Sequence, residues 1–206
     1  MRPHVRAKYL DTAPEAARGD RGLDINACSR RMASVVLGRS ERTVRRWCDE
    51  GTLRLVGSDA AGRALVALEQ VLDMLDGLGA QAPCGGDAQL PRREWMRLVL
   101  DADAGDADAL ACLGTQLLHE GRAAGAVSLL LEAAQLQHAD AMHWLCHCHL
   151  RGLGVARDPD LALMWLHRAA AQGHALARTQ ARALRRLSLR ESSAGAADQR
   201  TAYMGP

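Results

Sequence analysis

The chemically most suggestive run of this sequence is the seven residues HWLCHCH, from His143 to His149, which hold three histidines and two cysteines. His143 and His147 are one helical turn apart and Cys146 falls on nearly the same face, an arrangement that could bind zinc. However, residues 146–149 point in four directions on a helix, and no second cluster completes a tetrahedral site. We therefore expect free thiols, mostly buried, with no metal and no other cofactor.

Arginine supplies the second candidate chemistry. The 206-residue chain has 26 basic and 24 acidic side chains, a net charge of +2, so its overall charge predicts no polyanionic partner. Locally the balance differs, because eight arginines stand against four acidic residues between Arg30 and Arg63, a charge of +4. The planar guanidinium group binds phosphate oxygens and the O6 and N7 atoms of guanine. This cluster therefore predicts contact with double-stranded DNA.

We expect three of these arginines to enter a DNA groove and two others, at a turn and a wing tip, to contact the DNA backbone. The predicted DNA-binding residues are Arg39, Ser40, Arg42, Thr43, Arg45, Arg46 and Arg63. The alternative is a solvated helix face on which the arginines pair with Glu41, Asp49 and Glu50.

The elements that must position this cluster are two short helices within residues 31–50. Gly38 allows a tight turn between them, and Ser40 is placed to cap the second helix. Val44 and Trp47 are three residues apart and face inward, which leaves the arginines outside. This is the spacing of a helix-turn-helix, whose second helix enters the DNA major groove.

Two short strands and a closing helix follow. Residues 53–56 and 64–66 are predicted to form two short strands joined by a glycine-bounded tip, which is typical of a β-wing. Residues 69–75 are predicted to form a short helix with Val71, Leu72 and Leu75 at core positions. This segment resembles the winged helix-turn-helix of the MerR and excisionase-like DNA-binding proteins. The motifs that carry the resemblance are, in order, LG-x-S-x-RTVRRW, G-x-L, G-R and V-L-x-x-L. The resemblance covers about 50 residues.

The second half of the chain is periodic. The pair Ala139 and Ala141 recurs 36 residues later as Ala175 and Ala177, and 32 residues earlier as Ala107 and Ala109. Alanines at helix crossings let backbones approach, while Leu113, Leu145 and Trp165 fill the space between layers. Such steps are typical of helix-pair repeats, which bury their apolar faces only by stacking.

The later copy resembles the Sel-like repeat, and the earlier one resembles a tetratricopeptide repeat with a shorter loop between its helices. The resemblance implies a concave surface that binds a protein or peptide. Residues 94–100 look like the second helix of a truncated repeat, and residues 176–190 like a capping helix. The arginine stripe of that helix is read as a solvated face, with nucleic-acid contact as the alternative. The acidic run from Asp101 to Asp108 is expected to cap a helix start.

We therefore predict a mainly α fold, a small winged helix-turn-helix domain followed by a short α-solenoid. Ala and Leu make up 69 of the 206 residues, and the absence of Phe argues against a large sheet. The predicted segments are a disordered lead-in at 1–22, the DNA-binding domain at 23–76, a flexible linker at 77–91, the repeat domain at 92–190 and a disordered tail at 191–206.

No phosphate-binding loop, nucleophile elbow or metalloprotease pair is present, so an enzyme is not expected. With no apolar run long enough for a signal peptide or a membrane span, we expect a cytoplasmic location and no membrane partner. The expected function is that of a bacterial transcription regulator that binds double-stranded DNA, with a repeat domain that contacts another protein or forms a homodimer. The alternative is a protein-interaction adaptor with a degenerate helix-turn-helix.

Overall fold

The structure is a computed structural model that describes residues 26–77 and 91–187. Three predicted segments lie outside these residues, namely the lead-in at 1–22, nearly all of the linker at 77–91 and the tail at 191–206. Within the described part the chain is mainly α-helical, with one small three-stranded sheet.

Between residues 26 and 77, the N-terminal unit contains three strands and three helices. In chain order they are β1 (Ala27–Ser29), α1 (Arg30–Leu37), α2 (Glu41–Asp49), β2 (Leu55–Ser58), β3 (Ala64–Ala67) and α3 (Leu68–Gly77). The sheet is antiparallel in the order β1-β3-β2, with a bulge between Leu55 and Gly57. The two strands of the predicted hairpin are present, although the first begins at Leu55, two residues later than predicted, and β1 was not predicted.

Local chemistry explains how α1 and α2 meet. Gly38 ends α1 in the left-handed conformation, with φ of 62°, and its amide donates to the carbonyl groups of Ser34 and Val35. Ser40 then caps α2, its hydroxyl accepting from the Thr43 amide at 3.2 Å. The predicted cap is thus confirmed. Val44 is fully buried and Trp47 half-buried, which fixes the face that α2 turns inward.

The C-terminal unit is a stack of antiparallel helices. They are α4 (Arg92–Asp103), α5 (Ala107–His119), α6 (Ala123–Gln135), α7 (Ala139–Arg151), α8 (Pro159–Ala171) and α9, which spans 175–187. The pairs α5/α6 and α7/α8 pack most closely. Three residues join the first pair and seven the second, so the predicted shorter loop in the earlier copy is confirmed.

Small residues allow the helices of a pair, and the pairs themselves, to approach. A Cβ atom at Gly114 would come within 2.9 Å of the Leu130 side chain, and one at Gly154 would overlap the Ala123 carbonyl oxygen. Leu113, Leu145 and Trp165 are buried between layers, as their spacing predicted.

The two units share one hydrophobic core, and helix α1 lies antiparallel to α6 along their boundary. Arg31, at the start of α1, forms an ion pair with Glu132. Four residues later the Val35 carbonyl faces Gly125, and beyond it Gly38 faces the Arg122 guanidinium group.

A second contact joins β1 to the end of α4. Both the amide and the hydroxyl of Ser29 donate to the Asp103 carboxylate at 2.6 Å, and Ser29 is only 3% exposed. Of the acidic run, only Asp106 caps α5, its carboxylate accepting from the Ala109 amide. The expectation that Asp103 belongs to an inter-repeat cap was therefore wrong, because it lies within α4 and binds the other unit.

Candidate nucleic-acid interface and repeat groove

Helix α2 presents its arginines on the face opposite Val44. The side chains of Arg42, Arg45 and Arg46 are all exposed. Arg46 lies 3.6 Å from Glu50, in an ion pair on the helix surface. Among the described residues, no carboxylate pairs with Arg42 or Arg45. Of the three arginines, Arg46 therefore pairs with a carboxylate, as the alternative of a solvated, ion-paired helix face would require.

Arg30, outside the set predicted from the sequence, shares a surface concavity with this face. The concavity has a volume of about 780 Å³. Its lining residues are Arg30, Ser40, Glu41, Arg42, Thr43, Arg45, Arg46 and Asp49. Arg30 belongs to the basic cluster of the sequence, but its place in the site was not predicted, because Arg30 begins α1 rather than α2. Four guanidinium groups and two carboxylates thus share one open surface.

The remaining predicted side chains behave differently. Ser40 and Thr43 bond to each other through their hydroxyl oxygens at 2.8 Å, so they stabilise the start of α2. Arg39 follows the turn and is exposed. Arg31 was counted in the basic cluster, but its guanidinium group is held by Glu132. The local positive charge available to a partner is therefore smaller than the sequence count.

Arg63 is tied to the tip of the hairpin. Its Nε atom donates to Asp59 at 2.5 Å, and its amide donates to the same carboxylate at 2.7 Å. The hydrogen bond from the Arg63 amide is the largest cause of the lowered pKa of Asp59, and the side-chain bond and charge of Arg63 add to it. Arg63 therefore orders the tip, a role that the sequence did not suggest.

A second candidate surface is the groove formed by α5, α7 and α9. It has a volume of about 360 Å³ and is lined chiefly by imidazole, indole and carboxylate groups. The His143 and His174 rings stack at 4.3 Å between centroids, and the His147 ring meets His143 edge-on at 4.8 Å. His143 also lies 3.1 Å from the Gln180 side chain.

Two histidines at equivalent positions, His138 and His174, form hydrogen bonds between successive helices of the groove. His138 caps α7 and His174 caps α9, each through an Nδ1 atom that accepts a backbone amide, at 3.1 and 3.0 Å. Their Nε2 atoms lie 3.1 Å from Asp108 and 3.3 Å from Asp140, respectively, on the preceding helix of the groove. Because Nδ1 accepts, Nε2 carries the proton and donates to the carboxylate. This pair of histidines was not predicted, although their 36-residue spacing is visible in the sequence.

Metal ligation finds no support in the described residues, in which no group of three or more histidine, cysteine or acidic side chains is arranged to hold an ion. Two of the three suspected ligands, His143 and His147, line the groove, whereas Cys146 is buried outside its lining. Burial is the largest cause of the lowered pKa of His147, followed by the charges of His143 and Arg151. The five described cysteines are free, and Cys84 lies outside the described residues.

The family model of the Sel1 repeat matches residues 139–174. These residues form a Sel1 repeat. They span α7, the seven-residue loop and α8, and end at His174. Such repeats typically mediate contacts between proteins. Comparisons with curated proteins and with solved structures found no match. Within the part of the chain that is described, no helix is long and apolar enough to cross a membrane.

Proposed function

We propose that this protein is a DNA-binding transcription regulator in which a winged helix-turn-helix of the MerR type contacts the major groove. The observation that carries the proposal is the exposed arginine face of α2, on which Arg42 and Arg45 have no carboxylate partner among the described residues. The turn at Gly38, the cap at Ser40 and the hairpin that follows have the order expected of such a domain.

The groove contacts are assigned to Arg42, Arg45 and Arg46, and backbone contacts to Arg39 and to the hairpin tip at Arg63. Ser40 and Thr43 hold the start of α2 and are close enough to the same surface to reach a phosphate oxygen. A single unit of this size contacts only a few phosphates, so useful specificity requires two copies or a partner. The repeat unit supplies the surface for that association in this proposal.

The rival proposal is a non-enzymatic adaptor in which the helix-turn-helix no longer binds DNA. It is favoured by Asp49, which lines the same concavity as the arginines, and by the pairing of Arg46 with Glu50. Both carboxylates would repel a phosphate backbone. The two proposals share one fold and differ only in what the arginine face contacts.

The experiment is a DNA-binding titration by fluorescence anisotropy at several salt concentrations. We expect the wild-type association constant to fall by about 0.9 decades per decade of salt for each phosphate contacted. The triple variant R42A/R45A/R46A should lose binding while keeping the wild-type far-UV circular dichroism, because all three side chains are exposed. The DNA would carry random sequence first, and then fragments selected by the protein itself.

The matched control is R178A/R182A/R186A, which removes the same charge from an exposed stripe on α9. We expect it to bind DNA as the wild type does. Equal losses in both triple variants would mean that net charge, rather than the α2 face, drives binding. Unchanged affinity in the α2 variant would establish the adaptor.

A further inference from the structure

A cavity of about 370 Å³ lies where the turn between α1 and α2 meets the start of α6. Its lining residues are Leu37, Gly38, Arg39, Leu75 and the five residues 121–125. The volume falls within the range of small-ligand pockets. Both units of the chain contribute to its walls, so a molecule bound there would contact both.

The unusual group in this cavity is the guanidinium of Arg122. The side chain is only 15% exposed, and its Nη2 atom is enclosed with no hydrogen-bond partner. Among the described residues, the carboxylate that pairs with it is that of Glu120, which lies 3.4 Å from Nη1, the long end of a hydrogen bond. Burial, the largest cause, lowers the pKa of Arg122, against the opposing charge and hydrogen bond of Glu120. Buried donors are nearly always satisfied in native proteins, so an orphaned guanidinium nitrogen indicates a missing acceptor.

The surroundings favour an anion as that acceptor. Gly38 places no side chain against the guanidinium group, where a Cβ atom would lie 3.5 Å from both Nε and Nη2 of Arg122. Arg39 adds a second positive charge on the rim, and α6 begins at this point without any side-chain cap. Two arginines against one glutamate leave the cavity with a net positive charge.

We propose that this cavity binds a small free oxyanion, phosphate or a phosphate ester, through Arg122 and Arg39. The guanidinium fork offers parallel N–H groups that match two oxygens of a phosphate group. The bound anion would bridge the turn of the N-terminal unit and the first turn of α6. The inference does not depend on DNA binding, since the cavity is tested in the absence of DNA.

The test is the thermal unfolding temperature of the full chain in inorganic phosphate against sodium chloride at equal ionic strength. At free phosphate about 100 times its dissociation constant, linkage predicts a rise of roughly 5–10 °C. R122M should lose this rise, and because a poorly compensated buried cation is replaced by an apolar side chain, it should unfold in chloride no earlier than the wild type. Phosphate also stabilises proteins without binding, so the quantity that decides is the difference between wild type and R122M.

R178M is the matched control, since it removes an exposed arginine from α9 and should respond to phosphate as the wild type does. Should R122M fail to fold, R39M decides, because Arg39 is exposed; we expect at least half of the phosphate-dependent rise to disappear. An unchanged rise in either variant, or no rise in the wild type, would overturn the proposal. Loss of DNA affinity in R122M without any response to phosphate would also overturn it, because the acceptor would then be the DNA backbone.

Discussion

A single carboxylate, that of Asp103, holds two donors of a buried serine. The Ser29 amide and hydroxyl both point to it, and Ser29 also caps α1 by accepting from the Met32 amide. The burial of Cys28 beside this carboxylate raises the pKa of its thiol to about 12, with the charge of Asp103 adding to the effect. Individual polar groups, rather than apolar area alone, thus set where β1 lies on α4.

Replacing Asp103 with alanine should destabilise the protein by about 2–3 kcal/mol, because two donors lose a charged acceptor and one of them is a buried amide. The control is D101A, two residues away on the same helix, where a 40% exposed carboxylate forms a surface ion pair with Arg97 at 3.8 Å. Its effect should stay within about 0.5 kcal/mol. Denaturant unfolding of both variants measures the difference, and similar losses would show that the Ser29 contact contributes nothing specific.

Histidine makes the repeat unit sensitive to acid. Since the pKa of His147 is lowered in the folded protein, the unfolded chain binds the proton more readily. Stability must therefore fall as the pH drops below 6.5, the ordinary pKa of the side chain, toward the lower value of the folded state. H147Q should show a smaller loss of unfolding free energy between pH 7 and pH 5 than the wild type. H167Q, at an exposed position on α8, is the control, and a wild-type response in H147Q would contradict the prediction.

At the scale of elements, the packing of successive repeats depends on a glycine in the loop between α7 and α8, which contacts the start of α6. Gly154 has φ of 70° and lies directly against the backbone of Ala123 and Ala124, whereas Gly173 has φ of 88° and open space around it. The two positions share a left-handed conformation and differ in what surrounds them. They therefore separate backbone strain from close packing.

We expect G173A to cost about 1 kcal/mol, the strain of a left-handed alanine. G154A should cost about 2–4 kcal/mol, because the added methyl group meets backbone atoms that move only if α6 moves. Thermal or denaturant unfolding compares the two. Equal costs would mean that the loop after α7 shifts freely away from α6.

Elements with a clear sequence pattern were predicted correctly, and elements without one were not. The repeat helices were predictable because the alanine pairs recur at 36 residues, and α2 because Gly38, Ser40 and Val44 carry a turn, a cap and a core position. Strand β1 has only three residues and no visible alternation. The contact of Arg31 with Glu132 could not be predicted, since both residue types usually face water and 101 positions separate them. The same reason hid the roles of Asp103 and Arg122.

On the scale of the whole molecule, the N-terminal unit packs directly against the helical stack. Its α1 helix lies along α6, and Arg92 at the start of α4 binds Asp73 and Asp76 of α3 at 2.5 and 3.0 Å. One continuous hydrophobic core includes residues of both units. The linker predicted at 77–91 therefore joins two parts that already contact each other.

The shared core predicts a single cooperative unfolding transition. In native-state hydrogen exchange, the slowest amides of α1 and α6 should report the same opening free energy in the wild type. The D103A variant should lower the value for α1 more than that for α8, which lies far from β1 in the stack. Different wild-type values for α1 and α6 would show that the units open separately.

The paired histidines carry a consequence for how such a stack grows. His138 caps α7 and binds Asp108 of the preceding copy, and 36 residues later His174 caps α9 and binds Asp140 in the same way. A duplicated repeat would thus already contain the histidine and the aspartate that join it to its neighbour. The array could therefore lengthen by duplication without a new contact between repeats.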